Sequence, residues 1–338
     1  MTPWLLIPVV LLGSFLLTGL IRWWAVRIAL LDVPNRRSSH TVPTPRGGGL
    51  AIVVAFLAGV AGLAALAPHE ATGFLLLFLT ALMVAVVGLW DDLRQLSARY
   101  RILVHFLAAI LLVGGPAHAG VPIEQGLTIW QLSGGLILVL AVVWALNLFN
   151  FMDGIDGLAA GETVFVAVSA AFLLAWRGKE GEALLNLLLA AAGLGFLVWN
   201  WPPAKIFMGD VGSGFVGFVL AALALRSAVV SPELPKACWL ILPGVFFADA
   251  TSTLLRRMVR RERWYDAHRS HAYQQAATRY GSHRLVTLAV MAINLFWLLP
   301  LSVLCVILPG FEVSLTILAY LPLLGLVTKF NAGGEIIP

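Results

Sequence analysis

The chain has 338 residues, of which 60% are hydrophobic and only 12% charged, against about 25% charged in an ordinary soluble protein. One core cannot hide that much apolar surface from water, so lipid must act as solvent, and a disordered chain, a disulfide scaffold or a cytosolic enzyme is excluded. The net charge of +5, from 22 basic and 17 acidic residues, reflects in such a protein its orientation across the bilayer rather than nucleic-acid binding.

In chain order, apolar runs fall at about 3–21, 48–67, 73–90, 102–116, 132–149, 157–176, 183–200, 212–230, 237–255, 285–308 and 312–330. Each except the short 102–116 run is long enough to cross a bilayer as a helix of ~20 residues. The fold class is therefore an all-α polytopic membrane protein with about 11 spans, or ten if the short 102–116 run does not cross. The first run has no basic residues before it, and Arg22 and Arg27 follow it. That pattern predicts a retained first helix with its N-terminus outside, not a cleaved leader. In this orientation 18 of the 22 lysines and arginines lie on inner links, as the positive-inside rule requires. The outer links hold Arg177, Lys179, Arg226 and Lys236. No repeat or low-complexity tract divides the chain, so residues 1–338 read as one integral-membrane domain with a basic cytoplasmic loop at about 256–284. The outer segment Pro116–Gln131 has hairpin composition. Cys238 and Cys305 lack metal spacing and read as buried apolar residues.

Most carboxylates fall on the predicted cytoplasmic side, and ionisable groups at a membrane edge default to function. Asp91 and Asp92 close the third run; adjacent carboxylates repel and call for a proton, a metal or an arginine. Asn147, Asn150, Asp153 and Asp156 recur every three residues, which on a helix makes one polar stripe. The stretch Asn200–Gly214 carries Phe207 and Asp210 into a glycine-rich helix start, where free amides and the dipole favour a phosphate. Asp210 beside such an anion suggests Mg²⁺, the hard ion that takes one or two carboxylates plus phosphate oxygens, with Mn²⁺ as the substitute. The loop at 256–284 holds arginines suited to clamping a pyrophosphate, with His268, Arg269 and His271; no third ligand nearby argues for zinc. A proline-rich stretch, Asp32–Gly49, contributes His40 and Arg46.

These motifs, D-x-P-N-x-R…H…P-T-P-R-G-G-G, the Asp91–Asp92 pair, N-x-x-N-x-x-D-G-x-D-G-L-A, F-M-G-D-x-G-S and the histidine loop, stand in the order of a known family. The chain resembles the polyprenyl-phosphate N-acetylhexosamine-1-phosphate transferases, glycosyltransferase family 4, and within them the bacterial enzymes that start O-antigen or other surface-polysaccharide chains. The resemblance implies transfer of an N-acetylhexosamine-1-phosphate from a UDP-sugar to undecaprenyl phosphate with release of UMP, at the cytoplasmic face of a bacterial inner membrane, by a chain that can form a homodimer. It implies Asp210 as metal ligand with Asn150 as partner, Phe207 stacking on uracil, and Asn200, Asp153 and Asp156 in the nucleotide pocket. Asp91 or Asp92 takes the proton of the lipid phosphate, and direct attack is favoured over an aspartyl-phosphate intermediate. His268, Arg269 and His271 contact pyrophosphate or sugar, and His40 and Arg46 bind substrate. Asp249 is left between a direct role and an internal salt bridge.

The sequence departs from the family at His268-Arg269-Ser270-His271, where enterobacterial relatives have H-x-H-H. Ser270 leaves room for a less polar sugar edge, so the donor is read as a 6-deoxy sugar such as N-acetylfucosamine or as N-acetylglucosamine. A transporter or flippase of an anionic lipid-linked substrate is the competing class. Polar residues collected at one face, rather than at the midplane, weigh against it.

Overall fold

The computed structural model describes residues 2–34, 42–94, 96–115, 129–230, 234–262 and 268–334. The proposed outer hairpin at 116–128 and His40 lie outside them. Helices follow one another: α1 (Leu6–Arg27), α2 (Gly49–Leu66), α3 (Ala71–Arg94), α4 (Ala98–Gly114), α5 (Ile129–Met152), α6 (Leu158–Trp176), α7 (Glu180–Asn200), α8 (Asp210–Val230), α9 (Lys236–Ile241), α10 (Gly244–Val259), α11 (Ala272–Tyr280), α12 (His283–Ile293), α13 (Leu299–Ile307) and α14 (Glu312–Lys329). A π-helical turn, Asn294–Leu298, joins α12 to α13 without a break. Between α1 and α2 a two-residue ribbon pairs β1 (Leu31–Asp32) antiparallel with β2 (Thr44–Pro45), Leu31 opposite Pro45.

Among the described residues, nine helical stretches are long and apolar enough to cross a membrane. The other two apolar runs of the sequence fold differently. The fourth forms α4, 17 residues or about 25 Å long, with Arg99 and Arg101 in its first turn. The ninth is broken at Leu242–Pro243 into α9 and α10, because proline has no N–H to continue the ladder and its ring clashes one turn back. The architecture is that of an all-α polytopic membrane protein; of these two runs the fourth is a short continuous helix and only the ninth is broken.

α6, α7 and α8 are the centre of the bundle, with Phe196, Phe215 and Phe218 fully buried. α1 and α14 are its rim, only 17% buried along their apolar windows, with Leu12, Leu16, Ile317 and Leu321 exposed to the surroundings. Without a hydrophobic drive between helices in lipid, close packing relies on small residues. α2 and α8 meet in this way: a Cβ on Gly212 would fall 2.6 Å from the Cα of Gly49. At the far end of the bundle from Asp210, Arg226 of α8 bonds Glu182 of α7 through Nε at 2.8 Å and also pairs with Glu70, ahead of α3. Its guanidinium lies over the Phe74 ring. Three helices are pinned there by one buried cation.

Candidate active site

The site is assembled where the end of α3, the start of α4, the end of α5 and the start of α8 converge. Asp92, 6% exposed, turns its carboxylate onto the start of α8: Oδ1 accepts the N–H of Asp210 at 3.1 Å and Oδ2 that of Val211 at 3.0 Å. It is the side-chain cap of that helix, as an acidic residue at a positive dipole end should be. The next two amides, of Gly212 and Ser213, bond the carbonyl of Gly209. The sequence reading of this helix start as a phosphate cradle is thereby corrected, because its amides already have acceptors. Both oxygens of Asp92 are thus engaged at the start of α8, whereas those of Asp91 meet Arg101 and the Leu96 amide.

Asp91 accepts the backbone N–H of Leu96 at 2.6 Å and pairs with Arg101 Nη1. The same nitrogen donates to Asp210 Oδ2 at 2.7 Å. Two carboxylates from different helices thus converge on one positive charge. Asn150 Nδ2 donates to Asp210 Oδ1 at 2.8 Å and to Ser213 Oγ at 3.0 Å, so the amide's donor end, not its oxygen, meets Asp210. Arg46, on the segment after β2, donates from Nη2 to the main-chain carbonyl of Asp92 at 2.7 Å. Its buried Nε has no hydrogen-bond partner among the described residues, nor has that of Arg269.

The predicted four-residue polar stripe does not survive as a helix face. α5 ends at Met152, Asn147 donates back to Val143 O one turn earlier, and Asp153 and Asp156 lie on the turn that follows. Asp156 Oδ2 accepts from the Ala204 amide at 3.0 Å, and Oδ1 faces His283 Nδ1 at 3.2 Å. Asn200, 3% exposed, accepts from the Gly157 amide at 2.9 Å and donates to Ile206 O at 3.0 Å. Both residues tie the 153–157 turn to the 200–207 loop. Asn200, read from sequence as a nucleotide contact, has both ends of its amide on backbone and so shapes the pocket wall. Phe207 sits on that loop, its N–H bonded to Pro45 O at 2.8 Å and its carbonyl to the Gly48 amide at 2.9 Å. Burial, then the charges of Asp210, Asp92 and Asp156, hold the Asp153 carboxyl well above the usual carboxylate range. Such crowding of carboxylates is what a cation site requires.

The histidine loop approaches from α10 and α11. Asp249, 3% exposed on α10, accepts the N–H groups of Ala272 and Tyr273, both at 2.9 Å, and lies 3.2 Å from His271 Nδ1. It repeats the arrangement of Asp92: a carboxylate on one helix capping the start of another. Among the described residues the partners of Asp249 are thus a helix start, Thr253 and a histidine, and not the nearby arginine of the salt-bridge reading. His271 stacks between His268 and Tyr273, with centroids 5.0 and 5.7 Å away. Tyr273 Oη donates to Phe151 O at 2.9 Å and links the loop to the end of α5. Burial, reinforced by His271 and Arg257, lowers the His268 imidazole to about 4. Ser270 Oγ lies 2.9 Å from His268 Nδ1. Of the arginines read as a pyrophosphate clamp, Arg257 pairs with Glu262 at 2.8 Å, and Arg256 and Arg260 bond backbone carbonyls. They are structural.

The structure therefore gathers Asp91, Asp210, Asn150, Arg46 and Asp153 at one end of the bundle and keeps Asp92, Asp156 and Asn200 as their supports. Arg101 is the functional residue that the sequence reading missed. It had counted only as an inward charge, although its position seven residues after Arg94, at the start of the next helix, is the signal that it folds back over Asp91. Among the described residues no three carboxylate, histidine or cysteine side chains form a metal cage. Asp91 and Asp210 nonetheless fit Mg²⁺, which takes one or two carboxylates and completes its shell with phosphate and water.

Comparison with known proteins gives the chain a family. A family model described as glycosyl transferase family 4 matches residues 74–228, which run from α3 through Asp91, Asn150 and Asp210. A Bacillus subtilis protein named probable undecaprenyl-phosphate N-acetylglucosaminyl 1-phosphate transferase is 32% identical, over 84% of this chain and 80% of its own length. A Mycobacterium leprae decaprenyl-phosphate N-acetylglucosaminephosphotransferase is 30% identical over 82% and 77%. A Synechococcus phospho-N-acetylmuramoyl-pentapeptide-transferase is 29% identical over 87% and 86%. With a 32% identical relative aligned over most of both chains, this protein belongs to glycosyl transferase family 4, the polyprenyl-phosphate hexosamine-1-phosphate transferases.

Proposed function

We propose that the chain transfers N-acetylglucosamine-1-phosphate from its UDP-sugar to undecaprenyl phosphate, releasing UMP, and so begins a surface polysaccharide such as O-antigen at the cytoplasmic face of a bacterial inner membrane. The observation that carries the reading is the convergence of Asp91 and Asp210 on one cation, beside an arginine whose buried Nε awaits an acceptor. A phosphate oxygen of the acceptor lipid attacks the β-phosphorus of the donor; a new P–O bond forms and the bond to the α-phosphate breaks, so that UMP leaves. Asp91, held by Arg101 and the Leu96 amide, accepts a proton from the acceptor phosphate when it arrives protonated. Arg46 and Arg269 offer donors to the pyrophosphate, and Phe207 offers a ring for uracil. Asp210 and Asp91 would hold Mg²⁺, which when bound would supply neutralisation of the charge that spreads over the pyrophosphate oxygens.

An apolar groove of about 370 Å³, lined by Phe149, Ala145, Gly217, Leu220, Trp239 and Phe247, lies between α5, α8 and the broken α9–α10 pair. Phe149 adjoins Asn150, so a polyprenyl tail laid in the groove would leave its phosphate at the carboxylates. N-Acetylglucosamine is preferred over a 6-deoxy sugar for two reasons. Two of the relatives carry it in their names, and Ser270 is buried against His268 rather than lining open space. The test is UMP release by the purified protein from UDP-N-acetylglucosamine with undecaprenyl phosphate and Mg²⁺, with UDP-N-acetylfucosamine in competition. Absence of UMP, with movement of a lipid-linked sugar across proteoliposomes instead, would replace the reading with transport.

A further inference from the structure

Past α14 the chain turns through Phe330–Gly334 and lies between the last turns of α10 and the loop carrying His268 and His271. Gly333 donates its N–H to the carbonyl of Ser270 at 2.6 Å. From α10, Arg256 Nη1 donates to Ala332 O at 3.0 Å and Arg260 Nη1 to Gly333 O at 3.2 Å. Ala332 is 1% exposed. Gly333 has φ +70°, and a Cβ there would fall 2.9 Å from the carbonyl of Thr253, so conformation and space both demand glycine.

We infer that Phe330–Gly334 is a positioning strap for the histidine loop, and that α14 reports to the active site through it. Asp249 fixes the loop from within, at the start of α11; the strap fixes it from outside, at Ser270. Ser270 directly precedes His271 in the chain, and its carbonyl belongs to the peptide group that carries His271, so a shift of that carbonyl moves the His271 ring. Two arginines of the basic 256–284 loop, Arg256 and Arg260, serve this clamp. The inference rests on the transferase reading, in which His271 contacts the donor.

The test measures UMP release by the full chain against UDP-N-acetylglucosamine concentration for Gly333→Val, Arg260→Ala and Arg260→Lys, each also combined with His271→Ala. A loop displaced by about 1 Å lowers kcat by about 10–100-fold in Gly333→Val, with KM for the nucleotide sugar little changed. Arg260→Ala loses less, and Arg260→Lys recovers most of that loss. In the His271→Ala background the strap substitutions cost nothing further, because they act through a group already gone. Carbethoxylation of His271, followed by mass spectrometry, should rise in Gly333→Val while a buried site elsewhere stays protected. Should Gly333→Val fail to fold, the Arg260 variants carry the same comparison. Full kcat in both strap variants, losses that multiply with His271→Ala, or unchanged His271 labelling would each overturn the strap. A wild-type chain that releases no UMP would instead overturn the transferase reading, and the labelling result would still decide whether the strap holds the loop.

Discussion

At the scale of single residues, the Asp91–Asp92 pair shows how neighbours in sequence acquire opposite duties. Asp91→Asn should abolish most turnover while leaving the melting temperature near its wild-type value. Asp92→Asn removes a carboxylate cap and should lower stability by about 0.5–2 kcal/mol, with kcat falling because the start of α8 carries Asp210. Thermal melting in detergent alongside UMP release separates the two. Asp210→Asn, nearly isosteric, should cost about 10²–10³-fold in kcat and shift the Mg²⁺ requirement; near-normal turnover with unchanged Mg²⁺ dependence would move the cation site to Asp153. His268 gives a pH prediction. Its imidazole is held at about 4 against an ordinary 6.5, so between those values the unfolded chain binds the extra proton. Stability therefore rises with pH from about 4 to 6.5 and levels off above, and His268→Gln should flatten that limb of a melting profile.

At the scale of elements, the apolar runs were legible because a span in lipid advertises itself by length alone. What was not legible was their continuity. Pro243 sits inside a run whose hydropathy is unbroken, and only its missing N–H decides that α9 stops and α10 starts. The turn after α5 was hidden for a related reason: a spacing of three fits a helix, but Gly154 and Gly157 permit the chain to leave it after Met152. The roles of Asp92 and Asn200 were out of reach, since each depends on which backbone groups arrive from more than 40 residues away. Arg226 belongs to this scale as well. Removing one member of a buried ion pair leaves a charge without its partner, and Arg226→Ala should destabilise by about 3–5 kcal/mol. The melting point in detergent should fall while KM for the nucleotide sugar stays constant, because the site lies at the other end of α8.

At the scale of the whole molecule, the two ends of the bundle are built for different purposes. One carries a single buried cation paired with two glutamates and apart from the candidate substrate groups. The other crowds carboxylates beyond what Arg46 and Arg101 balance, an arrangement that stability alone does not reward and that a bound cation would relieve. The conjunction of motifs marked that end in the sequence as a candidate site, although which of its residues hold the scaffold emerged only from their hydrogen bonds.

The cap that Asp92 makes on α8 also bears on how the protein is built. Helices enter a membrane in the order of synthesis, so α3 arrives while Asp210 and Val211, more than a hundred residues downstream of Asp92, are still to be made. Until then this carboxylate waits at the edge of the bilayer without its partner, kept there by water or a proton, and the first seven helices form an unfinished assembly. Arrest of translation before residue 210 should therefore yield a species that membrane quality-control proteases recognise and that Asp92→Leu makes longer-lived, measurable as the half-life of the nascent fragment.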